Sequence, residues 1–372
     1  MKSTIHQALR RAAPAGSASA SAAVALAALV AASAAILFSN DGAFSAVPQP
    51  TGSVYTADEY GNSISRIDLA TGRVETVPVP IAPHNVDLSA DGRTLLAVGE
   101  PTEMEAGEAG HGQAAMQHGA NAEGGLLLVF DSDALGSGSV AAINVGEHPA
   151  HVVVGTDGRA FVTQSGENSL AVVDLFARKV VRTISTGRYP HGLRISPDGK
   201  EIYVADVEEG SVSVIGVAEM REIARIPVGA APVQVGFTPE GRLVFVSLRD
   251  ENKVAVIDTA SRTVVAKIDV GRKPIQVFST PDGSRVYVAN QGTEADPDDT
   301  VSVIDVATLS VVDTIRTGKG AHGVSISPDG SRVFVTNIVD GTVSVIDEAA
   351  GSVVATIPVG PGPNGIAFRQ TQ

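Results

Sequence analysis

From residue 53 to residue 370 the chain is a succession of short runs in which β-branched and aromatic residues alternate with polar ones. Each run is bounded by Gly, Pro, Asp or Asn, the punctuation of strands rather than helices. The stretch 192–228 shows the unit: strands are predicted over 192–196, 201–207, 211–217 and 222–228, with a Pro197-Asp198-Gly199 turn after the first.

This unit recurs. The same turn appears as Ala90-Asp91-Gly92, Thr156-Asp157-Gly158, Pro239-Glu240-Gly241, Pro281-Asp282-Gly283 and Pro328-Asp329-Gly330. Its glycines fall 66, 41, 42, 42 and 47 residues apart, a period of about 42 with a long insertion in the second unit and a short one in the sixth. A second landmark, an apolar run ending in Asp, recurs at Asp68, Asp131, Asp174, Asp258, Asp305 and Asp347. Four strands in about 42 residues make one propeller blade. Residues 53–79 supply three strands without a first, and 363–368 supply a first with nothing after it. The expectation is an all-β, seven-bladed β-propeller over 53–370, closed by pairing of the N- and C-terminal strands, which leaves no long exposed sheet edge.

Tyr203-Val204-Ala205-Asp206, Tyr287-Val288-Ala289-Asn290 and Phe334-Val335-Thr336-Asn337, with Val301-Ser302-Val303-Ile304-Asp305 and Val343-Ser344-Val345-Ile346-Asp347, resemble the signature of the YVTN family of bacterial β-propeller repeats. The resemblance spans nearly all of 53–370. It implies the propeller fold and a place among surface-layer, cell-envelope and periplasmic propellers, with lactonase propellers and the d1-heme and copper propellers of denitrification as more distant look-alikes. Fold alone selects no function among them.

Ahead of the repeats, Lys2, Arg10 and Arg11 precede an apolar stretch over 22–38, followed by Ser39-Asn40-Asp41 and the small-residue exit Ala43-Phe44-Ser45. A positive start, an apolar middle and a small-residue exit predict an export signal over 1–45, or an uncleaved anchor, with 46–52 as linker. The expected location is therefore the periplasm, the cell envelope or the exterior. With Lys+Arg 27 against Asp+Glu 41, the net charge of −14 argues against a nucleic-acid binder working by phosphate neutralisation. The absence of cysteine removes thiolate metal sites, c-type heme attachment and cysteine nucleophiles. No phosphate-cradling loop, nucleophile elbow or His-Glu-x-x-His motif is present.

Candidate chemistry then rests on histidine. His84, His191 and His322 hold one repeat position, at the start of the first strand of their units, and His151 sits one residue later in its own. The remaining units carry Val233, Ile275 and Asn364 there. His111 and His118 fall in the insertion 101–125, among Met and Glu. Propeller topology sends all of these to one mouth of the channel. Neutral imidazole binds zinc or copper without cysteine, so His84, His151, His191, His322, His111 and His118 are the candidate metal ligands, the last two on a loop acting as lid or delivery arm. Capping of the strand start is the structural alternative for the repeated position. The same face carries Asp58, Glu59, Glu167, Glu208, Glu209, Asp250, Glu251, Glu294, Asp296, Asp298 and Asp299, read as solvated loop charge that would attract cations or a basic protein partner. The expected function is an exported, non-enzymatic metal-binding protein. The alternatives are a cell-envelope interaction scaffold and a metal-assisted, lactonase-type hydrolase.

Overall fold

The structure, a computed structural model, describes residues 51–102 and 124–370. Residues 1–50, which include the segment expected to direct export, and most of the insertion with His111 and His118 lie outside the described residues.

Seven four-stranded antiparallel sheets follow one another along the chain as blades. Blade 1 combines Gly52–Asp58, Ser63–Asp68 and Val74–Pro78 with the last strand, Pro363–Gln370. Blades 2 to 7 span 81–144, 149–185, 190–227, 232–269, 274–316 and 321–358. The C-terminal strand pairs with the first, setting Val54 opposite Phe368 and Tyr55 opposite Ala367, so the expected closure is present. Val54 and Ile67 of blade 1 pack with Phe334, Val343 and Val345 of blade 7, sealing the seam with side chains as well as backbone.

The burial gradient across a blade follows from its position. Second and third strands, such as Glu201–Asp206 and Ser211–Gly216, are buried on both faces because a neighbouring blade covers each side. Outer strands such as Arg221–Pro227 are largely exposed. Each core cluster spans two adjacent blades; Tyr203, Val212 and Ile226 of blade 4 meet Val235, Val244 and Ile257 of blade 5. Aliphatic interdigitation thus replaces the aromatic core that the composition lacks.

Two small polar devices repeat. In the Pro-Asp-Gly turn, Asp198 Oδ1 accepts from Ser196 Oγ (2.7 Å) and the Lys200 N–H (3.1 Å), while Gly199 takes φ 73°, a conformation that favours glycine. At the end of the second strand, Asn337 Nδ2 donates to Thr342 and Ser344 across the hairpin, both at 2.9 Å. Asp58 and Asp206 occupy the same place as carboxylates, accepting from Ser65 (2.6 Å) and Ser213 (2.7 Å). Asp58 is therefore buried structure rather than solvated loop charge. Asp298 departs from that reading too: the second hairpin of blade 6 extends to Pro297–Asp305, and buried Asp298 accepts from Thr300 Oγ1 (2.7 Å) and the Arg272 N–H (3.1 Å).

Candidate metal centre

Each inner strand carries a Pro, or Ala in blade 7, at its start, or two residues inside it in blade 2, followed by two residues of which at least one is polar. In blades 1, 2, 4 and 7 the first of the two is Asn364, His84, His191 or His322. In blades 3, 5 and 6 the first is Ala150, Val233 or Ile275, and the second is His151, Gln234 or Gln276. Glycine makes the alternation fit: His191, His322 and Asn364 are followed by Gly192, Gly323 and Gly365. A Cβ on Gly192 would lie 2.4 Å from Gln234 Oε1, so the blade that places its polar side chain first leaves the second position to its neighbour. The ladder shifts register at this point in the inner strands, for example between Pro190 and Leu193 and between Pro149 and Val152. That irregularity frees either residue from strict two-residue alternation.

His84, His151 and His191, from three consecutive blades, converge. Their ring centroids are 5.6 Å apart for His84 and His151, 5.2 Å for His84 and His191, and 4.8 Å for His151 and His191. One ligand nitrogen from each lies within 4.8 Å of the others. The Nε2 atoms of His84 and His191 are 3.2 Å apart. A tetrahedral ion with bonds of 2.0–2.1 Å separates its ligand atoms by about 3.3 Å, so this pair already has the spacing of two ligands. His151 must close by up to about 1.5 Å to join them on that geometry.

The outer ring nitrogens are anchored. His191 Nδ1 lies 3.3 Å from the Val233 carbonyl, which only accepts, so Nδ1 carries the proton and Nε2 keeps its lone pair. His84 Nδ1 lies 3.3 Å from Glu59 Oε1 and 3.1 Å from Asn364 Nδ2. Asn364 Nδ2 also donates to Glu59 Oε2 at 2.6 Å. With the His84 proton on Nε2, that atom donates to His191 and Nδ1 accepts from Asn364. With the proton on Nδ1, it goes to Glu59 and both Nε2 lone pairs face the same point. Orienting a histidine through a carboxylate or carbonyl on its far nitrogen is the usual support of a metal ligand.

Burial favours the neutral form of His151, His191 and His322. It pushes His151 well below the ordinary histidine value, with the neighbouring His191 and His84 adding repulsion. His191 falls to about 3 and His322 to about 4, from burial first and then the charge of the surrounding histidines. Burial alone would raise Glu59, but the His84 contacts and the Asn364 hydrogen bond carry it down to about 2. At neutral pH the mouth therefore holds the neutral imidazoles of His151, His191 and His322 beside the negative charge of Glu59.

His322 stands on the same ring in blade 7 but outside the converging triad, and its buried Nδ1 has no hydrogen-bond partner among the described residues. His148 is exposed and faces Glu100 at 3.0 Å. A cleft of about 230 Å³ opens onto the cluster, lined by Glu59, His84, His191, Glu100, His148 and Tyr189 among others. The sequence placed Glu59 on this face only as solvated loop charge and Asn364 only as the residue standing where other units have histidine; the structure instead ties Glu59 to His84 and Asn364. Glu59 sits on a short 3-10 turn, Glu59–Gly61, whose first N–H bonds the Gly362 carbonyl at 2.9 Å, and nothing local distinguishes it from other loop acids.

The YNCE-like beta-propeller family matches residues 143–285, and the Cytochrome D1 heme domain matches residues 240–364. No curated protein matches the chain. Among solved structures, Kuenenia stuttgartiensis hydrazine synthase aligns at 19% identity and a TM-score of 0.64, covering 78% of this chain and 95% of that one. A functionally unknown protein from Desulfotomaculum acetoxidans aligns at 16% identity and a TM-score of 0.70, covering 87% and 100%. Dihydro-heme d1 dehydrogenase NirN aligns at 15% identity and a TM-score of 0.60, covering 87% and 76%. At these identities the likeness is one of fold.

Proposed function

We propose that this chain, a β-propeller of the bacterial YVTN type, is an exported metal-binding protein that holds a zinc or copper ion on His84, His151 and His191 at the channel mouth. The observation that carries the reading is the His84–His191 pair: two Nε2 atoms 3.2 Å apart, each with an outer nitrogen facing an acceptor. Three neutral nitrogen donors suit zinc and copper. His322 is a ring residue that supports the site from blade 7.

The cleft favours binding over turnover. At about 230 Å³ it falls below the roughly 300–1,000 Å³ of pockets that enclose organic ligands, which suits a small ion better than a lactone or a tetrapyrrole. Export is supported by the charge and apolar pattern of residues 1–45. We assign a delivery role to residues 103–123 with His111 and His118, because the chain departs at Thr102 just beyond Glu100, which lines the cleft. The acidic residues on the mouth face suit a basic protein as donor or recipient of the ion.

Titrating the metal-free, untagged protein with zinc and with copper(I) tests this. The expected result is one ion bound tighter than about 10 μM, roughly −6.8 kcal/mol. Weaker binding of both ions rejects the site. Lactone hydrolysis abolished by chelation would instead support the hydrolase.

A further inference from the structure

The turn between third and outer strands repeats in every blade, and its third residue is Ala70, Ala218, Ala260, Ala307 or Ala349 in five of them. Blade 3 has Phe176 there, 99% exposed. The outer strand that follows departs from its counterparts as well. Arg182 stands opposite Val172, where the other blades have Ala224, Ala266, Asp313 and Ala355. From 175 to 185 the chain holds Arg178, Lys179 and Arg182 and no Asp or Glu. None of the three forms an ion pair among the described residues, in a protein whose net charge is −14. Arg178 Nη1 donates to the Val140 carbonyl at 3.1 Å, and Val140 and Val181 are themselves exposed apolar residues. Asp174, the nearest acid, is spent on its own turn, accepting from the Ala177 N–H at 2.7 Å.

We propose that this turn and outer strand form a contact for an anionic phospholipid surface. A projecting aromatic flanked by unpaired cations combines insertion into the interface with attraction to lipid headgroups. The position of the chain entry supports this occupant. Residues 1–50, with their apolar stretch, join the propeller at Gly52, which packs on the Arg369 carbonyl. Arg369 Nη2 in turn reaches Asp133 at 2.9 Å, and Asp133 is the blade 2 counterpart of Phe176. Chain entry and Phe176 therefore share the face opposite the histidine mouth, and docking there leaves the mouth turned to solvent.

The chain has no tryptophan, so Phe176→Trp in the full-length protein is a sole reporter at the tip. With phosphatidylglycerol vesicles its emission is expected to shift to the blue and to be quenched by brominated acyl chains, and with phosphatidylcholine vesicles to stay unchanged. In cosedimentation, Lys179→Ser with Arg182→Ala is expected to weaken the phosphatidylglycerol-dependent part of binding about 25-fold, from about 5-fold per cation. Phe176→Ala, which restores the residue of the other blades, is expected to reduce it without changing the melting temperature. Vesicle binding with solvent-like tryptophan emission would assign all of it to residues 1–50 and overturn the proposal. So would an equal response to both lipids, or no response to either with capture of an acidic protein instead.

Discussion

The Nε2 atoms of His84 and His191 meet at 3.2 Å across the intervening blade 3, an arrangement that requires a proton or a cation between them. In the proposed site a metal ion takes the place of that proton. His84→Ala and His191→Ala are each expected to cut affinity for zinc or copper(I) by more than about 100-fold, since each removes a ligand. His322→Asn is expected to cost less than about tenfold. Titration calorimetry of the three variants separates triad from ring, and an equal loss at His322 would show that blade 7 contributes a ligand.

On the proposed metal binding, the His84 proton sits on Nδ1 and is donated in a hydrogen bond to the Glu59 carboxylate. Glu59→Gln keeps the shape and removes the charge, so metal affinity is expected to fall about 10- to 100-fold. The melting temperature of the metal-free protein, read by circular dichroism, should move little in comparison. Unchanged affinity would dissociate the carboxylate from the site.

Burial lifts the Asp58 and Asp206 carboxyls to about 6, and hydroxyl hydrogen bonds from their serine partners offset only part of that rise. Both exceed the unfolded value of about 3.9, so the native state takes up these protons first as pH falls. Their contribution to stability is present below about pH 4 and is lost as pH rises through about 6. Asp206→Asn, the solution already present at Asn290 and Asn337, should stabilise the protein at pH 7.5 by on the order of 1–2 kcal/mol and have little effect near pH 4.5. Urea unfolding at the two pH values checks the sign. A gain of the same size at both would mean that the charge is not its source.

Ring closure is packed tightly enough to test with one methyl group. A Cβ on Gly365 would lie 2.7 Å from Asn85 Cα in the adjoining blade, where neither backbone has room to yield. Gly365→Ala is expected to destabilise by about 1–3 kcal/mol, measured by denaturant midpoint. A loss below about 0.5 kcal/mol would indicate a looser seam.

Gly99 pairs with Leu126 in the second hairpin of blade 2. Replacing residues 103–123 with a short Gly-Ser turn is therefore expected to preserve the melting temperature. Stopped-flow zinc uptake should slow while equilibrium affinity changes little. Uptake at the original rate would remove the delivery role.

The blades were legible because Asp198-Gly199 and its copies punctuate the chain at a nearly constant interval, and because the unmatched strands at 53–79 and 363–368 complete one another. The histidine positions were legible as repeats. Their partners were not. The register shift where each inner strand begins lets Gln234 do from the second position what His191 does from the first, so two-residue periodicity fails there. Glu59 and Asn364 are separated by 305 residues and meet only because the last strand completes the first blade. Asp298, in an acidic run that resembles open loop, is buried by a hairpin extension that Gly292 and Pro297 permit but do not announce.

That long-range bond also orders events in time. Glu59 is held by Asn364 and by the carbonyl of Gly362, both near the end of the chain, while the last of the three converging histidines, His191, lies about 170 residues earlier. On any route that threads the polypeptide N-terminus first, His84, His151 and His191 emerge before their carboxylate can be locked in place. If the proposed site binds its ion, full affinity exists only after the final strand has docked, and ion capture at full strength would report that biogenesis is finished. A chain truncated before Pro363 would leave its histidines without that certificate, whatever the number of blades already formed.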